Sequence, residues 1–171
     1  PNDKGKVKPK YDGNADKLYA IRPQLINGGI YYQNKRDEAN AYKYLAYYVE
    51  SADAPLFASK DKKKDANLTQ IAYFAGIYAY QAKDYAKAEK FADIAVNDST
   101  HGKEAFNIKL AVMQAQLKNH ADSVAYVQKV KALYDKDPQN DMLFGTLINL
   151  YSSLKDEASA NALVEAKIAA D

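Results

Sequence analysis

The sequence predicts an all-α chain of about four antiparallel helix pairs, and three observations carry that reading. Alanine is abundant, while only 7 Gly and 5 Pro interrupt 171 residues. Apolar residues recur at spacings of three and four, the period of a helix face. Short polar breaks recur along the chain at Lys35-Arg36-Asp37, Lys83-Asp84, Lys118-Asn119 and Lys155-Asp156. Helices joined by so short a break must fold back on one another.

Residues 1–14 alternate lysines (Lys4, Lys6, Lys8, Lys10) with small or polar residues. They have no apolar period and read as an extended or disordered lead-in. From Ala15 the pattern turns helical, and 15–171 reads as one helical-repeat domain. The first pair is expected at 22–54, with Gly28-Gly29 inside a helical stretch. Each such Gly costs about 1 kcal/mol relative to Ala. Close packing against the following helix is the favoured reason, and backbone exposed to a ligand the alternative.

A loop over 55–67 follows, in which Leu56-Phe57 tucks beneath the helices and Lys60–Lys64 returns through solvent. The second pair, 69–102, is the clearest: Ile71, Phe74, Ala75, Tyr78 and Ala82 line one face, and Tyr85, Ala88, Phe91, Ala92 and Ala95 the next. Weaker pairs are expected at 104–138 and 141–171. Successive breaks lie 47, 35 and 37 residues apart. The last two intervals approach the ~34-residue period of one helical-repeat family.

The residues of the second pair make that resemblance specific. Gly76 in the first helix, Asp84-Tyr85 at the turn, Ala88 and Ala95 at tight contacts and Phe91-Ala92 between them resemble a tetratricopeptide repeat. Phe144, Leu147, Tyr151 and Ala160 repeat the pattern in the fourth pair, and Leu25, Gly28-Gly29, Tyr32, Ala41 and Leu45 in the first. The third keeps size more than identity, and no pair has the family's Trp. The resemblance implies a right-handed, tetratricopeptide-like α-solenoid. The GKVKPKY, LINGGIYY and APLF stretches also resemble tetratricopeptide-containing proteins of Bacteroidetes-type bacteria. That likeness implies export to the periplasm or cell envelope of a Gram-negative bacterium, and Pro1 in place of an initiator Met reads as a processed or partial chain.

Several functions are disfavoured by composition. Net charge is +2, and only Arg22 and Arg36 supply the guanidinium fork suited to phosphate and base edges, so nucleic acid is not an expected partner. Contact of the Lys4–Lys10 and Lys60–Lys64 runs with an anionic polymer is a minor alternative to plain solvation. No apolar run is long enough to span a membrane. Without Cys there is no thiolate chemistry, and His101 and His120 read as junction or surface histidines rather than metal ligands. Asp156-Glu157 suits a helix start better than acid–base work. No enzyme, cofactor or metal is expected.

What remains is surface, and the resemblance places partners on the first helix of each pair. The expected partner-binding residues are Ile26, Asn27, Ile30 and Gln33; Tyr73, Ile77 and Tyr80; Ile108, Lys109 and Val112; and Asn149 with Ser152. An amphipathic helix or extended peptide would suit such a face. Tyr73 and Tyr80 could equally pack between pairs. The family's carboxylate-gripping mode is disfavoured, because the matching places hold Ile26, Ile30, Gln70, Phe74, Ala105 and Lys109, of which only Lys109 is basic. The alternative function is structural: self-association, or support within a longer bacterial protein.

Overall fold

The computed structural model describes residues 12–170, and every regular element among them is helical. The lysine-rich start, residues 1–11, lies outside the described residues. Among the described residues there are nine α-helices: α1 (Asp12–Ile21), α2 (Pro23–Asn34), α3 (Glu38–Ser51), α4 (Leu68–Gln81), α5 (Tyr85–Ala95), α6 (Gly102–Ala115), α7 (His120–Tyr134), α8 (Asp141–Ser153) and α9 (Glu157–Ala170). Helix thus begins at Asp12, inside the segment expected to be extended. The 55–67 loop is punctuated by 3-10 turns at Pro55–Phe57 and Lys62–Lys64. The chain divides into two compact units at Val112/Met113, a boundary that falls within the expected third pair.

Three of the four turns share one backbone solution. Arg36, Lys83 and Lys155 have φ of 58°, 59° and 57° and are the non-glycine residues with positive φ among those described. The N–H of the next residue, Asp37, Asp84 or Asp156, donates to the carbonyl of Tyr32, Ala79 or Tyr151 at 3.0, 2.9 and 2.9 Å. The left-handed residue itself donates to Gln33, Tyr80 or Ser152. This paired arrangement closes a helix C-terminus, normally around glycine, and satisfies carbonyls the helix leaves open. The aspartate then caps the next helix: its Oδ1 accepts from the N–H of Asn40, Lys87 or Ser159. One aspartate therefore ends a helix with its backbone and starts the next with its side chain. The Lys118-Asn119 turn lacks the left-handed residue; there Asn119 caps Asp122, whose carboxylate accepts from the Lys118 N–H.

In the first unit, α2 packs along α3, α3 along α4, and α4 along α5. Its core is small: Ala41, Ala72, Ala75, Ala79, Ala88, Ala92 and Ala95 are all fully buried, around Phe91, Tyr48 and Val49. Gly28 and Gly29 serve close approach, the packing explanation. A methyl group on Gly28 would lie 2.5 Å from Tyr44 Cδ1, and one on Gly29 2.7 Å from Leu45 Cγ. In the second unit α7 packs on α8 and α8 on α9, burying Tyr126, Val130, Tyr134, Leu147, Tyr151 and Leu163.

Candidate functional site

The expected partner-binding residues fall into three physical groups. Asn27, Ile30 and Gln33 on α2 and Tyr80 on α4 are exposed; Ile30 is 48% and Tyr80 36% accessible, high for apolar or aromatic side chains. Ile26, Tyr73, Ile77, Ile108 and Lys109 are half-buried. Val112 is wholly buried in the core cluster, so it offers no surface to a partner. Its position on the buried side of α6 is shared with Ala105. Asn149 and Ser152 are exposed on α8, in the second unit.

Tyr73 and Tyr80 differ in their surroundings. The Tyr73 ring stacks on His101 with centroids 4.5 Å apart, and Phe74 meets the same imidazole edge-on at 5.5 Å. Tyr73 therefore fastens α4 to the start of α6. Tyr80 only leans on Tyr85, at 5.9 Å, and keeps an open face. The junction beneath Tyr73 is polar and well satisfied. Asp98 accepts from the Thr69 hydroxyl at 2.7 Å and from the backbone N–H groups of Thr100 and His101 at 3.0 and 2.9 Å. These donors, the hydroxyl foremost, hold its carboxyl down at about 2. Lys109 is similarly engaged, donating to Asp93 at 2.6 Å.

A separate groove of about 980 Å³ lies over the other helices of these hairpins, α3 and α5. Val49, Ala52, Leu68 and Ile94 form its apolar floor, and Lys62 and Lys63 of the inserted segment form part of its wall. Asp53, on the rim, receives Lys62 and also Lys90 at 3.3 Å; the Lys62 contact chiefly lowers its pKa. Periodicity could not locate this groove, because the loop that walls it has no period. In the second unit a smaller cleft, about 440 Å³, opens beside Tyr134, Tyr151 and Leu163.

The least expected feature is Arg22, between α1 and α2, which is 5% exposed. Its Nη1 donates to Asp65 Oδ2, its Nη2 to the Tyr48 carbonyl and its Nε to Ser51 Oγ, each at 2.9 Å. The guanidinium also lies 4.7 Å from the Tyr19 ring centre and 4.5 Å from that of Tyr48. The Tyr48 hydroxyl donates to Asp65 at 2.6 Å, and burial with this carboxylate pushes its pKa up. A signal existed: in a chain whose cations are nearly all Lys, an Arg marks a site needing a planar fork. Its partner, 43 residues away, has no local signature.

Among the described residues no three His, Asp or Glu side chains gather as a metal site, and no helix is long and apolar enough to cross a membrane. A scan of protein-family models finds no match to this chain, and a comparison with curated proteins finds none either.

Proposed function

We propose that the chain is a non-enzymatic, tetratricopeptide-like scaffold that binds a peptide or protein on the first helices of its hairpins. The observation that carries this reading is the turn repeated at Asp37, Asp84 and Asp156, with its left-handed residue and capping carboxylate. It sets equivalent residues at equal distances before each turn. Counting back from the aspartates, Ile30, Ile77 and Asn149 share one register, and Gln33, Tyr80 and Ser152 another. Within each unit, tetratricopeptide-like hairpins would present these registers along one helix face. The warrant is architectural rather than chemical.

The test follows from the sorting of residues. Peptides selected against the wild-type chain from a random display library are expected to lose about tenfold or more in affinity for Ile30→Ala plus Tyr80→Ala. These two side chains are exposed, so the variant keeps its fold. Selected peptides that bind the double variant undiminished would sink the face. Self-association, the second reading, is favoured by Ile168 on α9, 72% exposed; a mass that rises with concentration in sedimentation and falls for Ile168→Glu would support it instead.

A further inference from the structure

α1 is held to the rest of the first unit in an unusual way. Among the described residues, the element it meets most is the short Pro55–Phe57 turn of the inserted segment. Ala15 is buried, but the larger Leu18 and Ile21 remain exposed, so apolar burial contributes little to its anchoring. What does join it is a cluster of directional contacts with that segment. Tyr19 meets Phe57 edge-on at 5.4 Å, and Lys60 pairs with Asp16 and lies over the Tyr19 ring at 5.7 Å. At the centre sits Arg22, touching α1 through Tyr19, the insertion through Asp65 and Phe57, and the end of α3 through Tyr48 and Ser51.

We infer that α1 and the 55–67 insertion form one clasp, locked by Arg22, which opens and closes as a unit and serves as the removable wall of the α3–α5 groove. Both halves meet at Arg22, and the carboxylate that balances its buried charge, Asp65, comes from the insertion. If the insertion lifts, Asp65 leaves and the Arg22 charge is stranded in a buried site, which is strongly unfavourable. Only the neutral Tyr48 carbonyl and Ser51 hydroxyl then remain to Arg22, and α1 loses both Phe57 and its lock. If α1 lifts first, Phe57 is uncovered and the Arg22 guanidinium loses the Tyr19 ring that covers it. The α2–α3 and α4–α5 hairpins are exempt, because their own interfaces bury the alanine core without help from either half. Opening carries Lys62 and Lys63 away from the groove and exposes the end of α3 around Tyr48 and Ala52. Local units of this kind open at free energies below that of global unfolding.

Hydrogen exchange on the full chain tests this through two substitutions, one in each half. In the wild type, amides of α1 and of the insertion should share one opening free energy, lower than that of α4–α5. Asp65→Asn should speed exchange in both halves by about tenfold or more while α4 and α5 stay protected. Tyr19→Ala leaves the Arg22–Asp65 pair intact and should also speed the insertion's amides, though it lies in α1. Acceleration confined to the substituted half, in either variant, overturns the clasp. So does loss of protection throughout the first unit in Tyr19→Ala, since the clasp would then be inseparable from the core.

Discussion

The α2–α3 and α4–α5 hairpins end in the same turn yet solve their helix–helix contact differently. In register, Gly28 and Gly29 correspond to Ala75 and Gly76, and Tyr44 and Leu45 correspond to Phe91 and Ala92. The first hairpin sets two glycines against two large side chains. The second sets Ala and Gly against one large and one small. A methyl on Gly29 would collide with Leu45, whereas one on Gly76 would meet Phe91 Cβ at 3.7 Å, ordinary van der Waals contact. Glycine in the same register is therefore compulsory in one hairpin and optional in the other. What is maintained is the summed volume across the interface, not the residue at one position.

The largest effect should come from the one large side chain of the second hairpin. Phe91 is wholly buried, and Phe91→Ala should destabilise the first unit by about 3–5 kcal/mol in urea denaturation. Tyr44, its counterpart, is half-buried, so Tyr44→Ala should cost about 1–2 kcal/mol. Equal losses would show that the hairpins share one packing scheme after all.

Gly29→Ala comes next, at about 2 kcal/mol, because the added methyl must displace a buried leucine. The diagnostic is non-additivity. Leu45→Ala is costly alone, but in combination it should relieve much of the Gly29→Ala penalty, since the pair then becomes Ala against Ala. Strict additivity of the two losses would mean that Gly29 is required for some reason other than Leu45.

These contrasts also explain what could be read from sequence. The hairpins and their turns were legible because their causes are local: a three-or-four spacing, a polar break and an aspartate. Close packing was legible at Gly28-Gly29, since a helical glycine needs a reason. The partner side chains Tyr44 and Leu45 were not identified, because contacts across a hairpin depend on register. Val112 was assigned to a surface from its place on the first helix of the third pair, yet it is buried; a single apolar face does not say which neighbour covers it. The start of α1 is illegible because DGNADKLYA lacks an apolar stripe, and its contacts, Tyr19 with Phe57 and Asp16 with Lys60, lie in the distant insertion. Non-local electrostatics leaves little trace in periodicity.

The smallest expected effect separates the two glycines most sharply. Gly76 lies in the interior of α4, where glycine is less favourable than alanine by up to about 1 kcal/mol. Its surroundings leave a methyl at 3.7–3.8 Å from Phe91 Cβ, the Ala88 carbonyl and the Ala92 nitrogen, with no atom to displace. Gly76→Ala should therefore raise the unfolding midpoint slightly, by up to about 1 kcal/mol in stability, opposite in sign to Gly29→Ala. Adding a contact in a core otherwise lined by alanine brings dispersion energy as well as helix propensity. A loss like that of Gly29→Ala would mean that the interface cannot hold the extra volume, and that close approach, rather than summed volume, is what both hairpins preserve. A gain would leave the small residue at Gly76 as a position the turn places in register but the packing does not demand.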